Sequence, residues 1–220
     1  MTTPRDDLLC WIDLEMTGLD PIQNVIVEIA TLITDRDLNI VAEGPEIVAH
    51  ASEEHLGRMV NIVKKMHEKS GLTERIRAST VNLADAEMET LVFLKEHVKE
   101  RSAPVCGNSI WCDRMFMKLQ MPKVDEWLHY RTIDVSSFKE VATRWGVQGI
   151  AGAPRKGDQH RALDDIRESI AELKHYRDNW LAPHRAPDAA EKAAEAKRAV
   201  AKAARAAKSP KSPESNGGNA

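Results

Sequence analysis

The sequence is poor in the residues that stabilise small extracellular domains, because only three of its 220 residues are cysteine. An odd count without a C-x-x-C pair argues against a disulfide framework and indicates a reducing compartment. No apolar run approaches the roughly 18 residues that a membrane-spanning helix needs. The first apolar stretch, residues 8–12, is short and leads directly into acidic residues, unlike a secretory leader. We therefore expect a cytoplasmic protein without a membrane segment.

The chain also lacks a strong charge of either sign. Lys and Arg number 31 against 34 Asp and Glu, a formal charge of −3, and 42% of residues are hydrophobic. This composition is typical of a soluble globular protein. It argues against a protein that coats long nucleic acid, since that affinity comes from many phosphate contacts. Short nucleic acids and small anions remain possible ligands.

The composition changes near residue 182. Alanine, lysine and arginine dominate as far as residue 208, and Ser, Pro, Gly and Asn follow. Val200 is the one sizeable apolar side chain of the alanine-rich segment, so no face could dock on a core. We predict a folded domain at residues 1–182 and a disordered tail at 183–220. The tail is either only solvated or a weak electrostatic contact for RNA.

The body of the chain has the pattern of a mixed α/β domain. Apolar and β-branched runs predict three early strands, at residues 8–14, 25–33 and 39–48. Helical periodicity then alternates with a short strand, in segments 85–101, 104–106, 136–145 and one that begins near 158 or 160. Ser136 is the predicted N-cap of the third of these segments. This order predicts a mixed sheet flanked by helices.

Two acids at the end of the first strand are the most unusual feature. Asp13 and Glu15 are two residues apart, so their side chains share one face of the strand. Placing two like charges there is costly unless a cation lies between them. Oxygen ligands without sulfur suit Mg²⁺ or Mn²⁺. The alternative is a solvated strand end at which both acids pair with Lys or Arg.

Further acids and a histidine follow later in the chain. Asp113 comes shortly after the predicted strand end at residues 106–109, where open α/β sheets place their sites, although it could also be an N-cap. His160 precedes Asp165 by five positions, about 500° on a helix, so the two do not share a face. We therefore expect His160 at the helix entrance and the acid one turn inside. Periodicity alone does not choose between Asp164 and Asp165.

Five sequence blocks together resemble one family. They are W-I-D-L-E-M-T-G-L-D-P at 11–21, C-G-N-S-I at 106–110, H-Y-R at 129–131, D-V-S at 134–136 and D-D-I-R-E-S at 164–169. They resemble the DEDD exonucleases of the histidine subtype and, among these, the oligoribonucleases, over residues 8–180. The resemblance implies a ribonuclease-H-like fold. It also implies a homodimeric 3′→5′ exoribonuclease that hydrolyses very short single-stranded RNAs, especially dinucleotides, to 5′-mononucleotides.

The resemblance further implies a role for each matching residue. Two divalent cations, Mg²⁺ or Mn²⁺, would be held by Asp13, Glu15, Asp113 and Asp165, and His160 would be the general base. The substrate would be bound by Leu19, His67, Ser109, Arg131, Ser136 and Ser137. Tyr130 would be offered to the site of the partner subunit. Ile62 is a departure, because many members of the family carry a tryptophan there, and aromatic stacking at this position is not expected.

Two other functions compete with this interpretation. A general or DNA-directed 3′ exonuclease of the same fold, such as a proofreading subunit, would not need the 5′-phosphate block at residues 131–137. A catalytically silent RNA-binding domain predicts the loss of at least one acid or of the histidine, and all five are present.

Overall fold

The structure is a computed structural model that describes residues 5–147 and 161–181. In this part of the chain five strands form one sheet in the order β3-β2-β1-β4-β5. The strands are β1 (Leu9–Met16), β2 (Ile26–Thr34), β3 (Ile40–Val48), β4 (Pro104–Gly107) and β5 (His129–Asp134). β1, β2 and β3 pair antiparallel, whereas β4 runs parallel to both β1 and β5.

Helices connect and cover these strands. They are α1 (Glu53–Gly57), α2 (Asn61–Lys69), α3 (Leu72–Ala78), α4 (Leu83–His97), α5 (Ile110–Gln120), α6 (Pro122–Trp127), α7 (Val135–Arg144) and α8 (Ala162–Tyr176). A π-helical turn, Arg177–Leu181, follows α8. The predicted mixed sheet flanked by helices is confirmed. None of the helices in the described residues is long and apolar enough to cross a membrane.

The alternation of side chains along β1 creates two cores and aims the acids. Cys10, Ile12 and Leu14 pack into one core with residues of α4 and α5. Trp11 points to the other face, packs with residues of α8 and donates from Nε1 to Thr34 Oγ1 at 2.9 Å. Because side chains alternate, the odd-numbered acids that follow Trp11 lie on the α8 side of the sheet.

The start of α7 differs from the prediction. Asp134, and not Ser136, is the N-cap, and its side chain accepts the Ser136 N–H at 3.0 Å. An aspartate is as good a cap as a serine, and here it is also the last residue of β5. The strand therefore passes directly into the helix, which brings Ser136 into the first helical turn.

The predicted division of the chain stays a prediction. Its boundary at residue 182 and the tail at 183–220 lie beyond the last described residue.

Candidate active site

Carboxylates from β1 and α8 meet at the end of the sheet. Asp13, Glu15 and Asp165 each offer a carboxylate oxygen, and these oxygens lie within 4.8 Å of one another. Asp164, the other candidate in α8, is exposed. We call the first three residues the carboxylate cluster.

Asp113 lies at the edge of this cluster. It is in the first turn of α5 and is buried. Its Oδ1 accepts the backbone N–H of Leu14 at 3.0 Å, and Leu14 separates Asp13 from Glu15. The structure thus gathers at one edge of the sheet the four acids that the family resemblance groups together.

The electrostatics of the cluster fit a divalent cation. Burial, together with the charges of Asp165, Glu28 and Asp113, raises the pKa of Glu15 to about 8. Crowded carboxylates of this kind are costly without a counter-charge, and their oxygen-only donor set matches Mg²⁺ or Mn²⁺. The predicted general base, His160, lies outside the described residues.

His67 of α2 lies beside Glu15 and the end of β1. This buried α2 residue has Nε2 3.0 Å from the Met16 carbonyl oxygen, so Nε2 carries the proton that it donates. Its Nδ1 lies 3.8 Å from Glu15 Oε2. These contacts hold the end of β1, and a contact with substrate stays a prediction.

Serine hydroxyls meet at the neighbouring strand ends. The Ser109 N–H donates to Asp134 Oδ1 at 3.0 Å and to Ser136 Oγ at 3.1 Å. The Ser136 hydroxyl donates to the same Asp134 oxygen at 2.5 Å. We call Ser109 and Ser136, joined by Asp134, the serine pocket. It lies at the N-terminus of the ten-residue α7, where the Asp134 carboxylate is the helix cap.

The remaining predicted substrate residues are exposed. The Arg131 guanidinium carbon lies 5.4 Å from the ring centroid of Tyr130, which is 73% exposed. Leu19 is also 73% exposed. Within the described residues, neither Arg131 nor Ser137 hydrogen-bonds to the serine pocket. The structure therefore joins Ser109 to Ser136 and Tyr130 to Arg131, as two separate groups.

The sequence interpretation missed Arg114, which holds the segment that carries Tyr130 and Arg131. Arg114 is buried, and its Nη1 donates to the carbonyl oxygens of residues 129, 130 and 131 at 2.9, 3.0 and 3.3 Å. Its Nε lies 2.9 Å from Asp125 Oδ1. The sequence signal for Arg114 was a charged residue beside Asp113 in a largely apolar segment. That signal does not show that its partners are backbone carbonyl groups of β5.

A second missed residue is Glu28, which lies opposite Glu15 on the adjacent strand. Glu28 is 1% exposed, and Arg75 of α3 places Nη1 2.8 Å from its Oε1. Burial raises the pKa of Glu28, and the charge of Arg75 opposes that rise. Arg75 thus offsets part of the negative charge that Glu28 adds beside the cluster.

We expect Arg75→Met to lower the free energy of unfolding by about 1–3 kcal/mol at pH 8, because Glu28 loses its buried partner. The loss stays in this range because Arg75 is about one-third exposed, so solvent screens part of the pair. The penalty should shrink as pH falls, since a carboxylate with a raised pKa takes up a proton in the folded state. Urea unfolding at pH 8 and pH 5.5 measures the loss of unfolding free energy and its dependence on pH. Glu28→Gln/Arg75→Met is the matched control and should recover most of the loss. Equal penalties at both pH values would contradict the pairing.

Comparisons with known proteins identify the relatives of this chain. Residues 10–173 match the model of a family described as "Exonuclease". The oligoribonuclease of Pseudomonas aeruginosa is 54% identical over 181 residues, 82% of this chain and 99% of its own length. The oligoribonuclease of Corynebacterium efficiens is 51% identical over 192 residues, 87% of each chain.

Solved structures share the fold at low identity. An exonuclease I from Methylocaldum szegediense has a TM-score of 0.59 at 19% identity and covers 79% of this chain. E. coli exonuclease I in complex with a 5cy-dT13 oligonucleotide has a TM-score of 0.63 at 16% identity and covers 80%. The matched part is 41% and 42% of those two longer chains. These neighbours confirm the expected ribonuclease-H-like fold. With the identities above, the chain belongs to the oligoribonuclease family of hydrolytic exonucleases.

Proposed function

We propose that the chain is a 3′→5′ exoribonuclease that hydrolyses very short RNAs, dinucleotides above all, to 5′-mononucleotides. One observation carries this proposal: the carboxylate cluster and the serine pocket lie at the same edge of the sheet. Asp13 and Glu15 lie near the carboxyl end of β1, and the pocket lies at the carboxyl ends of β4 and β5, the next two strands of the sheet, which run parallel to β1. Adjacent strands are about 4.8 Å apart, so one to two strand spacings, roughly 5–10 Å, separate the two groups across the sheet. A short oligonucleotide can span that distance.

Asp13, Glu15, Asp113 and Asp165 would hold two divalent cations, Mg²⁺ or Mn²⁺. When bound, such ions neutralise the phosphodiester, lower the pKa of water and stabilise the leaving oxygen. The carboxylates set the position at which the scissile phosphate is held. The Leu14 N–H fixes Asp113, so this ligand is oriented before substrate arrives.

His160 would accept the proton of the attacking water. It precedes the first residue of α8 by two positions, and Asp165 lies in the first turn of that helix. A neutral imidazole with a pKa near 6.5 can take a proton at cellular pH.

The serine pocket would receive the 5′-phosphate, together with Ser137 and Arg131. Arginine offers a planar fork that matches a terminal phosphate, which lysine copies poorly. Leu19, apolar and exposed, would pack against the bases, and His67 would support the end of β1 beneath them.

A second copy of the chain would cover the face formed by α5 and β5. Trp111, Leu119 and Tyr130 are large, apolar or aromatic, and exposed there. Exposed groups of this kind mark association sites. In a homodimer Tyr130 would reach the site of the partner, and the complex would act in the cytoplasm.

The test is hydrolysis of 5′-phosphorylated RNAs of two to seven nucleotides, with and without chelator. We expect the dinucleotide to be cleaved roughly 10–100 times faster than the heptamer. A longer strand reaches the carboxylates only by leaving phosphate donors unpaired, at about 1–3 kcal/mol each. Removing the 5′-phosphate should cost a similar factor, as should Arg131→Ala, and Arg131→Lys should recover only part of that loss.

Two results would contradict the proposal. Equal rates for 5′-phosphorylated and 5′-hydroxyl dinucleotides would favour a general 3′ exonuclease. Binding without hydrolysis in the presence of Mg²⁺ or Mn²⁺ would favour a silent RNA-binding domain.

A further inference from the structure

A buried hydrogen-bond network joins the end of β4 to α8. Asn108 Nδ2 donates to Ser169 Oγ at 2.8 Å and to Glu172 Oε2 at 3.1 Å. The Tyr176 hydroxyl donates to Glu172 Oε1 at 2.6 Å. Ser169, Glu172 and Tyr176 are buried. Both hydrogens of the Asn108 amide and both oxygens of the Glu172 carboxylate have partners, so truncating either residue leaves polar groups unpaired.

The network ends at the two halves of the proposed site. At one end, Ser169 Oγ donates to the carbonyl oxygen of Asp165 at 2.8 Å, which fixes the backbone of a carboxylate-cluster residue. At the other end, Asn108 directly precedes Ser109, whose N–H belongs to the serine pocket. The Asn108 amide and the Ser169 hydroxyl therefore link the two groups.

The backbone of Ser109 increases the need for such a connection. Ser109 has a φ of 50°, in the left-handed region that few residues other than glycine adopt. A residue persists in this region only where its surroundings hold it there. Asn108 on one side and Asp134 on the other supply those constraints.

We propose that Asn108, Ser169 and Glu172 are positioning residues that set the distance between the serine pocket and the carboxylate cluster. This inference rests on the proposed function and extends it, because a substrate held at both ends needs a fixed separation between them. The three residues touch neither the 5′-phosphate nor the cations. Asn108 acts through Ser109 and Ser169 acts through Asp165, whereas Glu172 holds the Asn108 amide in place.

A purely structural role for the network predicts a different result. If the network only stabilised the fold, its loss would lower the melting temperature without a specific effect on turnover. If it shaped only one end of the site, turnover and binding at that end would fall together. A positioning role predicts that each end still binds its own ligand and that turnover alone falls.

The experiment compares Asn108→Ala and Glu172→Gln with Tyr176→Phe. Tyr176→Phe is the matched control, since it removes a buried hydrogen bond to Glu172 that does not lie between the two ends. We expect kcat for a 5′-phosphorylated dinucleotide to fall about 10–100-fold in the first two variants, the size of effect that a displacement of about 1 Å produces. Adenosine 5′-monophosphate binding to metal-free protein and Mn²⁺ affinity should each stay within about twofold. Tyr176→Phe should lower the melting temperature and leave kcat within about twofold.

Three outcomes would overturn the inference: an unchanged kcat, a loss of kcat matched by loss of mononucleotide or Mn²⁺ affinity, or an equal loss in Tyr176→Phe. If Asn108→Ala does not fold, Ser169→Ala replaces it, because Ser169 Oγ lies on the same path. The wild type, assayed with 5′-phosphorylated and 5′-hydroxyl dinucleotides, separates the two proposals. No phosphate preference in the wild type refutes the proposed function, whereas a clear preference with unaltered variants refutes only the positioning role.

Discussion

Asp13→Asn and Asp165→Asn should each reduce dinucleotide hydrolysis at least about 10³-fold. Each replacement removes a charged ligand from the carboxylate cluster. Charge neutralisation by divalent cations contributes several kcal/mol to such a reaction, and each 1.36 kcal/mol is a factor of ten in rate. Single-turnover hydrolysis at saturating Mn²⁺ measures the chemical step. Asp164→Asn is the matched control, because Asp164 is the exposed neighbour in the same helical turn, and its rate should stay within about twofold.

Asp165→Asn should also stabilise the protein when no metal is bound. The pKa of Glu15 rises from 4.5 to about 8 in the folded protein, so the folded state holds a proton that the unfolded state releases in between. Stability of the metal-free protein therefore falls as pH rises through this window. Removing the charge of Asp165 relieves part of this repulsion, so Asp165→Asn should melt above the wild type at pH 8 in chelator. With Mn²⁺ added, the order should reverse.

Wild-type hydrolysis that survives thorough chelation would refute the metal site. If Asp165→Asn melts below the wild type in chelator, the charge of Asp165 stabilises the metal-free protein. That result would contradict the predicted repulsion within the cluster.

The sequence predicted those parts of the fold that depend on local pattern. The three early strands are confirmed to within two residues at each end, because each is rich in apolar and β-branched residues. The helix predicted at 85–101 spans Leu83–His97, since Asn82 caps it two residues earlier than the periodicity indicated. The short helices α1 to α3 were not predicted. Their apolar positions are few, and long-range contacts such as Arg75 with Glu28 contribute to holding them.

For the candidate site, too, local pattern predicted some residues and long-range packing determined the others. Strand alternation placed Asp13 and Glu15 on one face, and the structure has them there. Periodicity could not choose between Asp164 and Asp165, because adjacent residues differ by only about 100° around a helix and the packing of α8 against β1 sets which one faces inward. The contacts of Arg114 join residues 15 to 17 positions apart, so no local pattern could show them.

His160→Ala should lower turnover by roughly 10²–10⁴, the usual cost of losing a general base, with Mn²⁺ affinity within about twofold of wild type. The reason is chemical: without the imidazole, the proton of the attacking water passes to bulk solvent. Pre-steady-state hydrolysis of a 5′-phosphorylated dinucleotide gives the rate, and calorimetric titration gives the Mn²⁺ affinity. His55→Ala, on α1, is the control histidine and should behave as the wild type.

The pH dependence of turnover shows whether the rate lost in His160→Ala is due to a missing general base. Wild-type turnover should rise with pH through the imidazole titration near 6.5 and then flatten, because only the neutral ring accepts a proton. Turnover of His160→Ala should not show this rise with pH. The ratio of the wild-type rate to the variant rate should therefore be smallest at low pH and reach its full value above about pH 7.5. If the variant keeps both the wild-type rate and the same rise with pH, the titrating group is not His160, and activation of water falls to the carboxylate-bound cations alone.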